Sequence, residues 1–179
     1  MKYVLKHLHV INTHKWEVFK LCVKVGIPFR GLVHDLSKYS ITEFWESVKY
    51  YKEANGKYSP ILACKKDIGY SKAWLHHKGR NKHHFEYWYD PKAPMSMPII
   101  PFKYMLEMIC DRIAASKVYH KENYYDGFSL EYLRKEKTDM TLNPKLIKFL
   151  EKVFKELSKE GEKILKKKHL LELYNECVK

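Results

Sequence analysis

The sequence has few of the residues that interrupt helices. Its 179 residues include only 7 glycines and 7 prolines, which argues against a turn-rich sandwich or barrel and against a low-complexity chain. No apolar run approaches the roughly 20 residues that cross a bilayer, and the N-terminus lacks an apolar stretch followed by a small-residue cleavage site. We therefore expect neither a membrane span nor a secretory signal, and we predict a cytoplasmic location.

Cysteine and arginine are also scarce. The four cysteines lie far apart without a C-x-x-C pair, which is typical of reduced cytosolic thiols. The net charge is +13, but only four of the 34 basic residues are arginine, whereas a nucleic-acid reader usually carries more. The charge therefore favours a lysine-rich surface and an anionic small-molecule substrate. A nucleic-acid partner is the alternative, and the sequence gives no indication of the oligomeric state.

Helical periodicity, in contrast, is present through most of the chain. Apolar residues recur every three or four positions, and strand-like alternation is weak. We predict an all-α helical bundle of about eight helices, with a core over residues 1–128 and a C-terminal helical extension over residues 129–179 packed on the same domain.

Capping residues and helix breakers predict where these helices begin and end. Asn12 or Thr13 is expected to cap the first helix, and a second helix is expected to run from Pro28 through Leu36. Ser40, with Glu43 three residues later, predicts a capping box. The remaining expectations are a helix end at Asn55–Gly56, helical structure over 59–78 with a break near Gly69, a proline-rich loop over 89–101, and helices over 102–120, 130–135, 144–160 and up to Cys177.

Four polar residues interrupt faces that are otherwise apolar: His14, His34, Asp35 and Asp111. A buried carboxylate needs a compensating charge, and neutral imidazoles with carboxylates are the usual ligands of divalent cations. Each histidine taken alone could instead be a hydrogen-bonded core residue. Because all four would be satisfied together by a cation, we predict that they bind one.

The order of these residues resembles the H…HD…D pattern of the HD-domain superfamily. The residues that carry the resemblance are His14, then G-L-V-H-D-L-S-K with His34, Asp35 and Lys38, then Asp111 in M-I-C-D-R-I-A-A-S. The resemblance covers about residues 10–120 and implies an all-α fold and a metal-dependent phosphohydrolase. The whole chain, with G-Y-S-K-A-W-L-H-H-K-G-R-N-K-H-H-F-E-Y-W, also resembles a small family of bacterial and phage proteins of unknown function.

A histidine block covers residues 76–84, with the sequence H-H-K-G-R-N-K-H-H. The resemblance implies that one histidine of each pair would bind a second metal ion. Because adjacent residues on a helix point about 100° apart, we expect only one per pair and assign His77 and His84. The alternatives are a basic surface turn and histidines that are hydrogen-bonded to the aromatic segment over residues 85–88. The residues expected to contact the substrate are Lys38, His76, Arg80, Lys82 and His83.

These observations lead to one expected function and two alternatives. The expected function is hydrolysis of a nucleotide or another small phosphoester by a metal-activated water, with Asp35, Lys38 and Arg80 in catalysis. One or two divalent cations are expected, and Fe, Mn, Zn, Co, Ni and Mg are all compatible. The first alternative is a di-iron oxygenase with the ligands His14, His34, Asp35, His77, His84 and Asp111. The second is a non-catalytic module that binds metal or nucleic acid.

Overall fold

The computed structural model describes residues 2–54, 59–136 and 142–178. Within these ranges the chain forms nine α-helices and no strand, which confirms the all-α prediction of about eight helices. The helices are α1 (Lys2–Lys24), α2 (Pro28–Val33), α3 (Ile41–Ala54), α4 (Pro60–Ile68), α5 (Lys72–Lys78), α6 (Phe102–His120), α7 (Phe128–Glu136), α8 (Pro144–Glu160) and α9 (Lys167–Val178). No helix in the described ranges has the length and apolar character that a bilayer span requires.

Two predicted boundaries in the N-terminal part were wrong. Helix α1 begins at Lys2 and runs through Asn12 without a break. The Asn12 side chain does not cap a helix and instead accepts a hydrogen bond from the Tyr39 hydroxyl (2.6 Å). Helix α2 ends at Val33 and does not continue to Leu36. The three residues after its end therefore lie outside any α-helix, where the backbone can turn a side chain in a direction that a helix does not allow.

Boundaries marked by serine and glycine were predicted more accurately. Ser59 and Ser71 cap α4 and α5, and Gly69 lies between these helices with φ +83°, a conformation that glycine adopts without strain. The loop over 89–101 contains no helix, and α6 covers the predicted residues. The expected helix end at 55–56 lies outside the described residues.

The capping box at Ser40 is only half formed. The Ser40 hydroxyl accepts a hydrogen bond from the backbone N–H of Glu43 (3.3 Å), as predicted. The Glu43 carboxylate, however, turns away from the helix terminus and contacts His76 and His77 of α5. A long-range partner has therefore taken the side chain that the local pattern assigned to the cap.

Helix α1 occupies a central position and contacts α2, α3 and α6. Its approach to α2 is close: a β-carbon added at Gly31 would lie 2.7 Å from the Cys22 β-carbon. A side chain at position 31 would therefore push α2 away from α1. The close contact between α1 and α2 therefore fixes the position of the end of α2. His34 and Asp35, which follow this end, lie beside α1 and α6 as a result.

The main hydrophobic core joins the C-terminal helices to α1 and α6. Helix α8 buries only apolar side chains, namely Leu146, Phe149, Leu150, Val153, Phe154 and Leu157. These pack in one cluster with residues of α1, α6, α7 and α9. All four cysteines are buried free thiols, as expected for the scattered cysteines of a chain without disulfides.

Candidate metal centre

Asp35 has an unusual backbone conformation at the start of the site. It follows the end of α2 and has φ +53° and ψ +28°, in the left-handed region. This conformation is uncommon for a residue other than glycine and is often found at functional sites. The turn directs the carboxylate into the interior, where Asp35 is 2% exposed and His34 is 1% exposed.

The first ligand group consists of His14, His34, Asp35 and Asp111. One side-chain atom from each lies within 4.8 Å of the others. Asp111 Oδ1 lies 3.0 Å from His14 Nε2 and 3.5 Å from His34 Nε2, and Asp35 Oδ2 lies 3.3 Å from His34 Nε2. Helix α1, the turn after α2 and helix α6 therefore bring together all four residues that the sequence predicts to share a cation.

The second ligand group consists of Asp35, His77, His83 and His84, again within 4.8 Å. Asp35 Oδ1 lies 3.5 Å from His77 Nε2 and 3.4 Å from His83 Nε2. The Nε2 atoms of His77 and His84 are 2.9 Å apart. Asp35 thus belongs to both groups and uses a different carboxylate oxygen toward each.

Glu107 orients the imidazoles of His34 and His83 through their Nδ1 atoms, on the side away from the ligand groups. Its Oε1 lies 3.0 Å from His34 Nδ1 and 3.3 Å from His83 Nδ1, while Arg30 pairs with its Oε2. A carboxylate at Nδ1 holds the proton on that nitrogen, so the lone pair of Nε2 faces the opposite side. Glu107 also forms a possible third group with His34 and His83, but its oxygens already have these partners, which favours an orienting role.

Glu43 has the same relation to the other pair of histidines. Its carboxylate contacts His77 Nδ1 at 2.8 Å and His76 Nδ1 at 2.6 Å. His77 therefore directs Nε2 toward Asp35, and His76, on the same carboxylate, lies at the edge of the site with its side chain 20% exposed. Both carboxylates thus fix imidazoles in the tautomer that a metal ion requires.

Several buried atoms of the centre have no hydrogen-bond partner among the described residues. They are His14 Nδ1, His14 Nε2, His34 Nε2, Asp35 Oδ1 and His83 Nε2. Buried polar groups are rarely left unpaired, because this costs about 1–3 kcal/mol each. Four of these five atoms face another member of a ligand group. His14 Nε2 and His34 Nε2 face Asp111, and His83 Nε2 and Asp35 Oδ1 face each other, so the donor set fits a bound cation.

Charge around the centre favours ionised carboxylates. Burial would raise the pKa of Asp111, but the adjacent imidazoles of His14 and His34 hold that pKa well below its usual range. Burial lowers the pKa of His84, and the neighbouring imidazoles of His83 and His77 lower it further. Anionic carboxylates and a neutral imidazole are the protonation states that bind divalent cations. Burial lowers the pKa of His34, but Asp35, Asp111 and Glu107 outweigh burial and raise it, so a cation would have to displace the proton of His34.

Lys38 adds a fixed positive charge at the edge of the centre. Its Nζ lies 2.7 Å from Asp35 Oδ2, and its side chain is 29% exposed. Burial lowers the pKa of Lys38, but Asp35 outweighs this effect and the pKa is raised, so the ammonium form persists. The group can therefore contact both Asp35 and an anion that approaches from solvent.

The histidine block is arranged differently from the expectation of one ligand per pair. His76 and His77 lie on α5, where the helical argument holds and only His77 enters a ligand group. His83 and His84 lie in a turn beyond α5, where the angle of 100° between neighbours does not apply. Both enter the second group, and His83, predicted as a substrate contact, is only 2% exposed.

Two other predicted contacts lie outside the ligand groups. Arg80 is exposed. Lys82 is also exposed, and its Nζ lies 5.6 Å from the centre of the Tyr87 ring and 5.8 Å from that of Tyr104. Their assignment to substrate stays a prediction, as does the catalytic role of Arg80.

A usable signal for Glu107 was present in the sequence, but the prediction missed it. Glu107 lies one helical turn before Asp111 on α6, within an apolar run, and is 2% exposed. A second buried carboxylate four residues away on the same face marks a residue that supports the first. Glu43 offered no such signal, because its position three residues after Ser40 also fits a capping box.

These features define a class: an all-α protein whose buried histidines and carboxylates can hold one or two metal ions. The chain belongs to the DUF5662 family, a family of unknown function, which residues 3–156 match. The match includes both ligand groups and most of α8. No curated protein and no solved structure matches the chain.

Proposed function

We propose that this protein is a metal-dependent phosphohydrolase of the HD type that acts on a nucleotide or another small phosphoester. The observation that carries the proposal is the position of Asp35, whose two oxygens face two different ligand groups. Each ligand group would hold one cation, and a pair of cations would supply chemistry suited to phosphoester hydrolysis. The left-handed turn at Asp35 and the order His14, His34, Asp35, Asp111 support the same assignment.

The residues that would hold the ions are those of the two ligand groups. Divalent cations bound there would supply a water of lowered pKa and would neutralise charge that develops on the phosphoryl oxygens. The chain itself fixes the imidazoles through Glu107 and Glu43 and keeps Asp35 and Asp111 ionised. Lys38, beside Asp35, supplies a positive charge for a phosphate oxygen.

Metal content and turnover test this proposal together. Purified protein is loaded with Mn²⁺, Co²⁺ or Mg²⁺, assayed on a panel of phosphomonoesters and phosphodiesters, and analysed for bound metal. We expect about two ions per chain, turnover with at least one ester, and loss of both properties in Asp35→Asn. Asp90→Asn, an exposed loop aspartate, is the matched control. An uncleaved panel with every metal would refute the phosphohydrolase.

The number of imidazoles supports a second candidate, the di-iron oxygenase. The two groups contain five histidines and two aspartates, a nitrogen-rich set that suits iron better than Mg²⁺. Iron at about two ions per chain, a colour that changes on reduction and uptake of O₂ with an organic substrate would favour the oxygenase. Turnover of a phosphoester without O₂ would favour the hydrolase.

A further inference from the structure

A cavity of about 340 Å³ adjoins the metal centre. Its lining includes His83 and His84 of the second ligand group and Asp111 of the first, so a molecule in the cavity would contact the centre directly. The volume lies at the lower end of the range of about 300–1,000 Å³ for small-molecule pockets. Another cavity, between α1 and the end of α6, contains no residue of either ligand group in its lining.

Aromatic rings form much of the wall of this cavity. Trp74, Phe85, Tyr119 and Tyr132 all line it. Tyr119 is 64% exposed and Tyr132 is 59% exposed, so their rings are not buried in the hydrophobic core and can contact a ligand. Trp74 stands edge-on to His84, with ring centres 5.4 Å apart. Aromatic walls of this kind favour a flat, aromatic ligand group through stacking.

Arg112 lies in the same wall and contacts three neighbouring side chains. Its Nη2 donates to Glu136 at 2.5 Å, and its guanidinium lies over Phe85 at 5.3 Å and over Tyr132 at 5.5 Å from the ring centres. Its side chain is 11% exposed. Despite these contacts, its Nη1 is buried and has no partner among the described residues.

Ser129, at the start of α7, has a similar unused group. It is 1% exposed, lines the same cavity, and its hydroxyl has no partner within the described part of the chain. An unpaired buried hydroxyl and an unpaired guanidinium N–H in one cavity wall are costly to the folded protein. Both atoms are buried, so both costs are removed if small rotations of the two side chains turn them toward the cavity and a ligand supplies acceptor atoms there.

We propose that this cavity binds an aromatic part of the substrate that carries hydrogen-bond acceptors on its edge, with Arg112 and Ser129 as the residues that select it. The identity of the reaction rests on the phosphohydrolase proposed above, but the binding preference does not. The phosphate of such a substrate would face the metal centre, and the ring would lie among Trp74, Tyr119 and Tyr132. Arg112 and Ser129 would donate to its acceptor atoms.

Equilibrium binding to the Mn²⁺-loaded protein tests this selection without turnover, because each probe named below is used as its phosphonate analogue, in which a methylene group replaces the ester oxygen that hydrolysis would cleave. Three probes share a phosphomonoester: uridine 5′-monophosphate has an aromatic ring with acceptors, phenyl phosphate has a ring alone, and glycerol 3-phosphate has neither. We expect affinity to fall in that order, by about tenfold for each step, since stacking and hydrogen bonding are each of this size. Equal affinity for the three probes would overturn the proposal.

Two variants test whether Ser129 and Arg112 are the residues that select the ligand. Ser129→Ala and Arg112→Lys should each weaken binding of uridine 5′-monophosphate about tenfold and leave glycerol 3-phosphate within about twofold. Arg134→Lys, an exposed arginine of the same helix as Ser129, should change neither. If Arg112→Lys fails to fold because Glu136 loses its partner, Ser129→Ala alone decides the question. An equal loss for all probes in Ser129→Ala would refute the role of the cavity.

The outcomes separate this inference from the proposed function. Selective binding without turnover of any ester would refute the hydrolase and leave the aromatic-binding cavity standing. Turnover with no preference among the three probes would support the hydrolase and refute the cavity. Binding that is selective and lost in both variants, together with turnover, supports both.

Discussion

Helices α1 and α8 bury one face each, but they bury different chemistry. Helix α8 buries six apolar side chains and no polar one. Helix α1 buries His14 within the row Ile11, Val18 and Leu21, directly opposite Asp111 of α6. In the C-terminal layer, defined here as α7 to α9, helix α8 therefore contributes stability through apolar burial. The metal centre buries polar side chains in place of apolar ones, so its stability depends on binding partners for their polar atoms.

This difference predicts where stability and metal binding can be separated. The buried side chains of α8 are apolar and need no polar partner, so a change there should lower stability and leave the metal centre intact. Atoms of the centre include unpaired nitrogens and a carboxylate oxygen, so a change there should act mainly on metal affinity. Four experiments can break or sharpen this comparison.

The largest effect is expected in the C-terminal layer. Phe149→Ala removes a fully buried ring from the main core and should lower the free energy of unfolding by about 3–5 kcal/mol, as measured by urea denaturation. The metal content of the folded fraction should stay unchanged. Lys148→Ala, an exposed neighbour on α8, should change stability by less than about 0.5 kcal/mol. Loss of metal from folded Phe149→Ala protein would show that the two regions are coupled.

Metal withdrawal should have the next largest effect. A cation that binds only the folded state adds about 2.7 kcal/mol when its free concentration is 100 times the dissociation constant. We therefore expect a chelator to lower the free energy of unfolding of the wild type by about this amount. The same loss should appear in Phe149→Ala, and none should appear in Asp35→Asn. An equal response to chelator in Asp35→Asn would argue against the centre as the binding site.

Substitution of Glu107, which contacts the ligand histidines and is not itself assigned as a ligand, should have a smaller effect than metal removal. Glu107→Gln keeps the shape of the side chain but removes the charge that orients His34 and His83 and that pairs with Arg30. Metal affinity should fall about 10–100-fold, as measured by competition with a chelator of known affinity. The control is Glu17→Gln, since Glu17 pairs with Lys20 on the outer surface of α1. Unchanged affinity in Glu107→Gln would leave Glu107 with a purely structural role.

The same contrast explains how much the sequence could predict. Apolar periodicity predicted α6 and α8, because the apolar residues that these helices bury recur at helical spacing in the sequence. The four residues of the first ligand group were predicted because each is a polar residue on an apolar face. The sequence did not predict that His83 and His84 share one group, since the turn that holds them is fixed by distant contacts.

Long-range partners also explain the boundaries that failed. Asn12 has the chemistry of a helix cap but bonds Tyr39, and Glu43 has the position of a capping-box residue but bonds two histidines. In both cases a tertiary hydrogen bond replaced a local one. Local patterns are therefore least reliable where a polar side chain has a buried partner elsewhere in the chain, which is where functional groups gather.

The smallest effect concerns the ion pairs that join the two regions. Glu162, between α8 and α9, pairs with Lys24 of α1 and Lys117 of α6. Burial would raise the pKa of Glu162, but hydrogen bonds from both lysines outweigh burial and lower it below the usual 4.5. The folded protein then binds this proton less readily than the unfolded chain does. The stabilisation is therefore complete above about pH 4.5 and is lost as the pH falls through the lower value in the folded state.

Glu162→Gln should consequently lower the free energy of unfolding at pH 7 by about 1 kcal/mol or less, because the three side chains are partly exposed and screened by solvent. Urea denaturation at several pH values should show the difference from the wild type shrinking in acid. Glu160→Gln, whose partner Lys163 is largely exposed, should show a smaller difference at pH 7. A difference that grows as the pH falls would contradict the assigned direction of the pKa. It would also mean that charge pairing does not hold the metal-centre region against the C-terminal layer, leaving the apolar core as the connection between them.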